Sequence, residues 1–209
     1  MIELFTSAFV TFFVVIDPPG CAPIFASLTA GADAKHRRAM ALRSVAIASG
    51  ILLFFALFGE DLLDALGVSL AAFRIAGGIM LFLIALEMVF ERRQQRREKR
   101  ADEVAATPEH EDISVFPMAI PMIAGPGSIA SIMLLMARSN GLDQSLVVLG
   151  ALAAILVLTL LALLAAGPLM RFLGHRVEAM ITRILGVILA ALAAQFVIDG
   201  ISVSFQINA

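Results

Sequence analysis

A carboxylate and three prolines interrupt the first apolar segment of the chain. In "FFVVIDPPGCAPIFASL" (12–28), Asp17 places a charge inside a hydrophobic run, and Pro18, Pro19 and Pro23 remove three backbone donors. Inside a bilayer, a broken helix is stable only where it is buried in protein or lines a polar cavity. The segment therefore predicts a polar site within an apolar helix. In the alternative interpretation, Asp17 only caps the helix that restarts after it.

A second interruption lies in "IAGPGSIASIMLL" (123–135), around Pro126. A helix that restarts after such a break directs its N-terminal N–H groups and its positive dipole end into the gap. Ser128 is placed there as a cap or a ligand. The simpler alternative is that both interruptions are kinks satisfied by neighbouring helices. The predicted substrate-binding residues are Asp17, Gly20, Cys21, Gly125, Gly127 and Ser128, and the predicted helix-breaking residues are Pro18, Pro19, Pro23 and Pro126.

The two interruptions together offer a site for a zwitterion. Backbone N–H groups near Gly20 and near Gly127 and Ser128 can receive a carboxylate without any cationic side chain. Asp17 can receive an ammonium group. Glycine is needed at such places because the backbone itself must approach the ligand.

Three further charged residues have a possible coupling or structural role. Glu87 lies deep in an apolar segment, where an unpaired charge is costly, although it can also snorkel toward the nearby polar loop. Arg74 and Arg183 are expected to anchor helix ends rather than to bind substrate. The three histidines lie in separate loops, and the chain has one cysteine and no Walker motif. We therefore predict no catalytic residue, metal site, cofactor or ATP-driven step.

Long uncharged segments must hold these residues. The chain of 209 residues is 60% hydrophobic, with a mean hydropathy of +0.96. Apolar runs of about 20 residues have the length that spans a bilayer as a helix. The pattern predicts an all-α polytopic membrane protein, embedded in a lipid bilayer, with spans near 4–28, 44–60, 68–90, 115–137, 145–166 and 181–200. The first and fourth spans contain the interruptions.

The basic residues predict the orientation of these spans. All but two of the 15 lysines and arginines fall in alternate loops, which the positive-inside rule places in the cytoplasm. Both termini would then face the periplasm of a bacterial inner membrane, with residues 91–114 cytoplasmic. The stretch "ERRQQRREKRADEVAATPEHEDIS" (91–114) predicts a partly disordered, solvated linker. A basic cluster beside a membrane span usually fixes the topology, so we predict no nucleic-acid binding.

The two halves of the chain resemble each other. "RIAGGIMLFLIA" (74–85) aligns with "RILGVILAALAA" (183–194) at six of twelve positions, and each half begins with a Pro-Gly interruption. Because each half has three spans, the second copy must insert upside down. The sequence predicts repeat one at 1–92 with its break at 17–23, a charged linker at 93–114, and repeat two at 115–209 with its break at 124–128.

The segments "IDPPGCAPIFASLT", "FRIAGGIMLFLIALEM", "FPMAIPMIAGPGSIASIML" and "TRILGVILAALAAQFVIDGI" resemble the MarC family of integral membrane proteins. The resemblance covers the chain outside the linker. It implies a relation to small neutral amino-acid transporters and to LysE-type exporters. One position departs from the family pattern, because Cys21 stands where relatives often have Asn.

The expected function is secondary transport of a small polar metabolite, with small neutral amino acids favoured by the resemblance. H⁺ or Na⁺ coupling and exchange all remain open as the driving mechanism, and a homo-oligomer is possible. The alternatives are a membrane-embedded enzyme, which would need convergent catalytic groups, and a non-transporting accessory protein, which would not need paired breaks.

Overall fold

A computed structural model describes residues 1–105 and 112–205, with the side chains of 100–105, 169–176 and 178 left out. Every regular element in this described part is a helix. The helices are α1 (Ile2–Ile16), α2 (Pro18–Leu28), α3 (Ala34–Ala65), α4 (Leu70–Val89), α5 (Arg92–Ala105), α6 (Ser114–Ile123), α7 (Pro126–Met136), α8 (Gly141–Leu164) and α9 (Ala166–Ser204).

Five segments of the described chain are long and apolar enough to cross a bilayer. They are Ile2–Leu28, Ala34–Ala65, Leu70–Val89, Gly141–Leu164 and Ala179–Ser204. The consecutive helices α6 and α7 form a pair bent by 52°, which would make a sixth span if the pair crosses the membrane. The predicted class, an all-α polytopic membrane protein, is confirmed with five or six candidate spans.

Three stretches predicted as loops are helical instead. Helix α3 starts at Ala34, where Asp33 accepts a hydrogen bond from the His36 N–H at 2.6 Å, and α9 already starts at Ala166. Helix α5 occupies residues 92–105 of the predicted solvated linker, whereas 106–111 lie outside the described residues. The sequence analysis did not predict this helix, although the arginines, glutamines, glutamates and lysine of α5 are good helix formers.

Helices α4 and α9 pack against each other along much of their length. A Cβ atom added at Gly78 would lie 2.9 Å from the Ala193 carbonyl oxygen, and one added at Gly186 would lie 3.1 Å from the Ala85 carbonyl oxygen. Small residues allow two membrane helices to approach this closely. The pair is therefore antiparallel and in tight backbone contact.

Helices α1, α2, α6 and α7 occupy the interior of the bundle, between α3 and α8 on one side and α4 and α9 on the other. Of the candidate spans, Ile2–Leu28 is the most buried. Large apolar side chains such as Phe54, Leu57 and Phe58 of α3 are exposed, as expected for a surface that faces lipid. Both interruptions seen in the sequence therefore lie inside the protein.

Candidate functional site

The first interruption is centred on Asp17. Helix α1 ends at Ile16 and α2 begins at Pro18, with Asp17 between them in the left-handed conformation (φ 60°). Its carboxylate accepts a hydrogen bond from the Gly20 N–H at 3.1 Å. The prolines at the start of α2 lack N–H groups that would have no helical partner there in any case. Asp17 thus caps α2, which is the alternative role weighed from the sequence.

Two other residues singled out from the sequence, Cys21 and Pro23, lie close to this junction. The Cys21 thiol lies 3.5 Å from the Ile16 carbonyl oxygen, to which it can donate a hydrogen bond, and its side chain is fully buried. Pro23 lies inside α2, which continues to Leu28, so the prediction that Pro23 breaks the helix is wrong. Pro23 is the sixth residue of α2, and the hydrogen bond that it lacks is the one an N–H at this position would donate to the Pro19 carbonyl oxygen.

Two arginines of α5 bind the same junction, and the sequence reasoning missed them. The Arg97 guanidinium contacts the Asp17 carboxylate at 3.1 Å, and its side chain is only 10% exposed. Arg93 donates a hydrogen bond to the Val15 carbonyl oxygen at 2.6 Å. Residues four apart lie on one face of a helix, so α5 presents both arginines together. The four-residue spacing was the only signal in the sequence, and it did not identify Asp17 as the partner. The basic stretch is therefore more than a solvated loop.

Burial changes the acid–base behaviour of Arg93. Removal from water lowers the pKa of its guanidinium to about 10, and the neighbouring Arg97 charge acts in the same direction. The carboxylates of Asp17 and Glu87 oppose this change. Arg93 therefore remains positively charged near neutral pH.

The second interruption lies between α6 and α7. Phe116 and Ile120 take extended backbone angles inside α6, since each precedes a proline. Helix α7 then begins at Pro126, after Gly125. The N-cap residue of α7, Gly125, has no side chain that could cap this N-terminus. Ser128 is the third residue of α7, so it does not take the N-cap position. Ser128 is nevertheless buried at the first turn of α7.

A cavity of about 460 Å³ lies between the second interruption, α4 and α5. This is within the range of small-molecule sites. Glu87 on its wall pairs with Arg96 at 2.6 Å. The polar and backbone-exposing residues of the wall are Glu87, Arg93, Arg96, Arg97, Gly125, Pro126, Gly127 and Ser128. The remaining lining residues are apolar and include methionines and prolines as well as aliphatic side chains.

The structure divides the predicted binding residues into two groups. Gly125, Gly127 and Ser128 line the cavity together. Of the described residues around it, neither Asp17 nor Gly20 nor Cys21 contributes to the wall. The sequence analysis expected backbone N–H groups to suffice for a carboxylate, and the structure adds guanidinium groups of α5 to the wall.

Arg74 and Arg183 lie elsewhere. Arg183 pairs with Glu91 at 2.7 Å. At the far end of the α4–α9 pair, Asp199 forms an ion pair with Arg138 and accepts a hydrogen bond from Gln195 at 2.7 Å. Arg74 lies close enough to Arg138 for the two positive charges to repel each other. Neither Arg74 nor Arg183 belongs to the cavity wall in the part of the chain that the structure describes.

Within residues 1–105 and 112–205, no group of three or more His, Cys, Asp or Glu side chains is arranged to hold a metal ion. The described chain is thus a polytopic helical membrane protein with two interrupted segments and a charged cavity beside the second one.

The comparison with known proteins agrees with this class. Residues 2–205 match the family described as "MarC family integral membrane protein". The chain therefore belongs to the MarC family.

Several relatives cover nearly the whole chain. It is 40% identical over 200 residues to the UPF0056 membrane protein MJ1677 of Methanocaldococcus jannaschii, covering 96% of this chain and 97% of the relative. It is 33% identical over 207 residues to the UPF0056 membrane protein YvbG of Bacillus subtilis, covering 99% and 98%. It is 34% identical over 195 residues to the UPF0056 inner membrane protein YhgN of Escherichia coli, covering 93% and 94%. No solved structure matches the chain.

Proposed function

We propose that the chain is a secondary transporter of a small polar metabolite, with small neutral amino acids as the favoured substrates. The observation that carries the proposal is the cavity of about 460 Å³, which adjoins an interrupted helix within an apolar bundle. Charged side chains are costly within a bilayer, and where they occur they commonly mark the pathway of a substrate or an ion. Transport would be coupled to H⁺ or Na⁺, or would proceed by exchange.

An inverted repeat forms part of the proposal. Aligning Arg74 with Arg183 places Gly77 opposite Gly186. The contacts Gly78–Ala193 and Gly186–Ala85 are then equivalent to within one residue. Such near-equivalence supports two related halves that pack around a pseudo-two-fold axis. In this arrangement α6 and α7 together cross the membrane, both termini face the periplasm, and α5 lies on the cytoplasmic side.

Uptake into liposomes tests the proposal. Purified protein is reconstituted, and a panel of labelled small neutral amino acids is offered with and without H⁺ and Na⁺ gradients. Gly127→Val should abolish uptake, because an added Cβ already lies 2.7 Å from Ile84 and the larger side chain fills the cavity wall. Gly150→Val is the matched control, since it meets open space on α8.

The wild-type protein and Gly150→Val should accumulate at least one solute above empty liposomes. Folding of each variant is checked by its elution and melting temperature before transport is compared. Absence of uptake for every solute with folded wild-type protein contradicts transport and favours the accessory-protein alternative. Turnover of a solute without its accumulation would instead favour the enzyme alternative.

A further inference from the structure

Three arginines of α5 line the cavity, and two of them form an ion pair with a carboxylate of the described residues. Arg96 pairs with Glu87 at 2.6 Å, and Arg97 pairs with Asp17 at 3.1 Å. Arg93 donates instead to the Val15 carbonyl oxygen at 2.6 Å and contacts the Met88 sulfur at 3.1 Å. Among the described residues, no carboxylate lies within ion-pair distance of Arg93. Among the side chains that the structure describes, the cavity wall and its ion-pair partners therefore carry one positive charge in excess.

A second feature of the cavity lining also favours negative charge. The N-terminus of α7 reaches the cavity at Gly127 and Ser128, and its N-cap residue, Gly125, has no side chain to cap it. The N–H groups of a first helical turn carry partial positive charge. An anionic group placed between this turn and Arg93 would interact favourably with both.

Apolar side chains make up another part of the cavity lining and limit which ligands fit. This part consists of aliphatic and thioether side chains, including Met80, Leu83, Ile84 and Met122. These groups offer no hydrogen bond that a sugar or a polyhydroxylated solute would require. A short aliphatic chain attached to a single anionic group matches both the basic and the apolar residues of the lining.

We propose, on the basis of the transport function above, that Arg93 receives the carboxylate of a small aliphatic substrate. A guanidinium has five N–H donors, so Arg93 can keep its bond to Val15 while the remaining donors bind a carboxylate. The carboxylate, rather than an ammonium group, is then the feature that every substrate must carry. In a zwitterion, the ammonium group is positioned toward Glu87.

Ligand-induced stabilisation of the purified full-length protein tests this assignment. The probes are alanine, which carries both charges, propionate, which carries only the carboxylate, and alaninamide, which carries only the ammonium. Alanine and propionate should raise the melting temperature of the wild-type protein, whereas alaninamide should not. Arg93→Gln should weaken the binding of alanine and propionate by about 10- to 100-fold, the range for a lost charge-assisted hydrogen bond. Arg93→Lys should retain part of the affinity.

Arg92→Gln is the matched control, because Arg92 lies one position away on α5 with an exposed side chain. It should bind all three probes as the wild-type protein does. Should Arg93→Gln fail to fold, the probe series on the wild-type protein and on Arg93→Lys still decides the question. Equal stabilisation by alaninamide and alanine, or wild-type affinity in folded Arg93→Gln, would overturn the assignment while leaving transport intact. If the wild-type protein neither binds nor transports any solute, the proposed function and this inference fail together.

Discussion

The ion pair between Asp17 and Arg97 gives the sharpest test of how α5 docks onto the bundle. Asp17→Asn removes the charge but keeps an oxygen that can accept the Gly20 N–H, so the helix cap survives. Arg97→Met removes the other charge and keeps an apolar side chain of similar reach. Each single change leaves one charge buried without its partner.

The expected magnitude follows from burial. The Asp17 side chain is 1% exposed and that of Arg97 is 10% exposed. Breaking a buried pair by removing one partner costs about 3–5 kcal/mol, because the remaining charge stays uncompensated. In the double variant Asp17→Asn/Arg97→Met neither charge remains. Its loss in free energy of unfolding should therefore be smaller than the sum of the losses of the two single variants. We expect a coupling energy of about 2–3 kcal/mol.

The assay is reversible unfolding in mixed micelles for the four proteins of this double-mutant cycle. The control cycle uses Arg43→Met and Asp112→Asn, whose pair has a similar length of 2.7 Å but side chains that are 61% and 43% exposed. Its coupling energy should stay below about 1 kcal/mol. If the effects of the Asp17 and Arg97 variants add to within about 0.5 kcal/mol, the two charges are not paired and α5 does not dock at Asp17.

Three further predictions concern packing, acid stability and topology. Gly78→Val should lower the free energy of unfolding by about 1–3 kcal/mol through overpacking, since an added Cβ would lie 2.9 Å from the Ala193 carbonyl oxygen. Gly50→Val is the control, because an added Cβ there meets open space. Equal melting temperatures of the two variants would contradict the tight α4–α9 contact. Hydrogen bonds from Ser114, and then the Arg43 guanidinium, hold the pKa of Asp112 below its ordinary value of 3.8. The stability that Asp112 contributes is therefore complete above about pH 4 and is lost as pH falls through the lowered pKa. The difference in melting temperature between the wild-type protein and Asp112→Asn should accordingly shrink in acid. A difference that does not change with pH would show that the charge is not its cause. Reporters fused after Ser139 and after Arg97 should report opposite sides of the membrane if α6 and α7 cross it, and the same side if that bent pair is re-entrant.

Much of the membrane architecture could be predicted from the sequence because hydropathy and helix breaking are local properties. The apolar runs place α4 and α8 close to their observed bounds, since a run of that length needs no partner to be identified as a span. Pro18 and Pro126 likewise begin helices because a proline at the first helical position needs no N–H partner. Asp17 before Pro18 indicated a helix cap for the same local reason.

Only the tertiary structure decided what those interruptions contact. Arg97 lies 80 positions beyond Asp17 in the chain, and a run of arginines has the same composition whether it is solvated or buried. Its location depends on whether α5 folds back over the first interruption, where an unpaired carboxylate and a free carbonyl oxygen attract guanidinium groups. The cavity also depends on this placement, because its wall combines α4, α5 and α7. Sequence patterns determine which segments are helical and apolar, whereas the partner of a buried charge is determined by which surfaces meet.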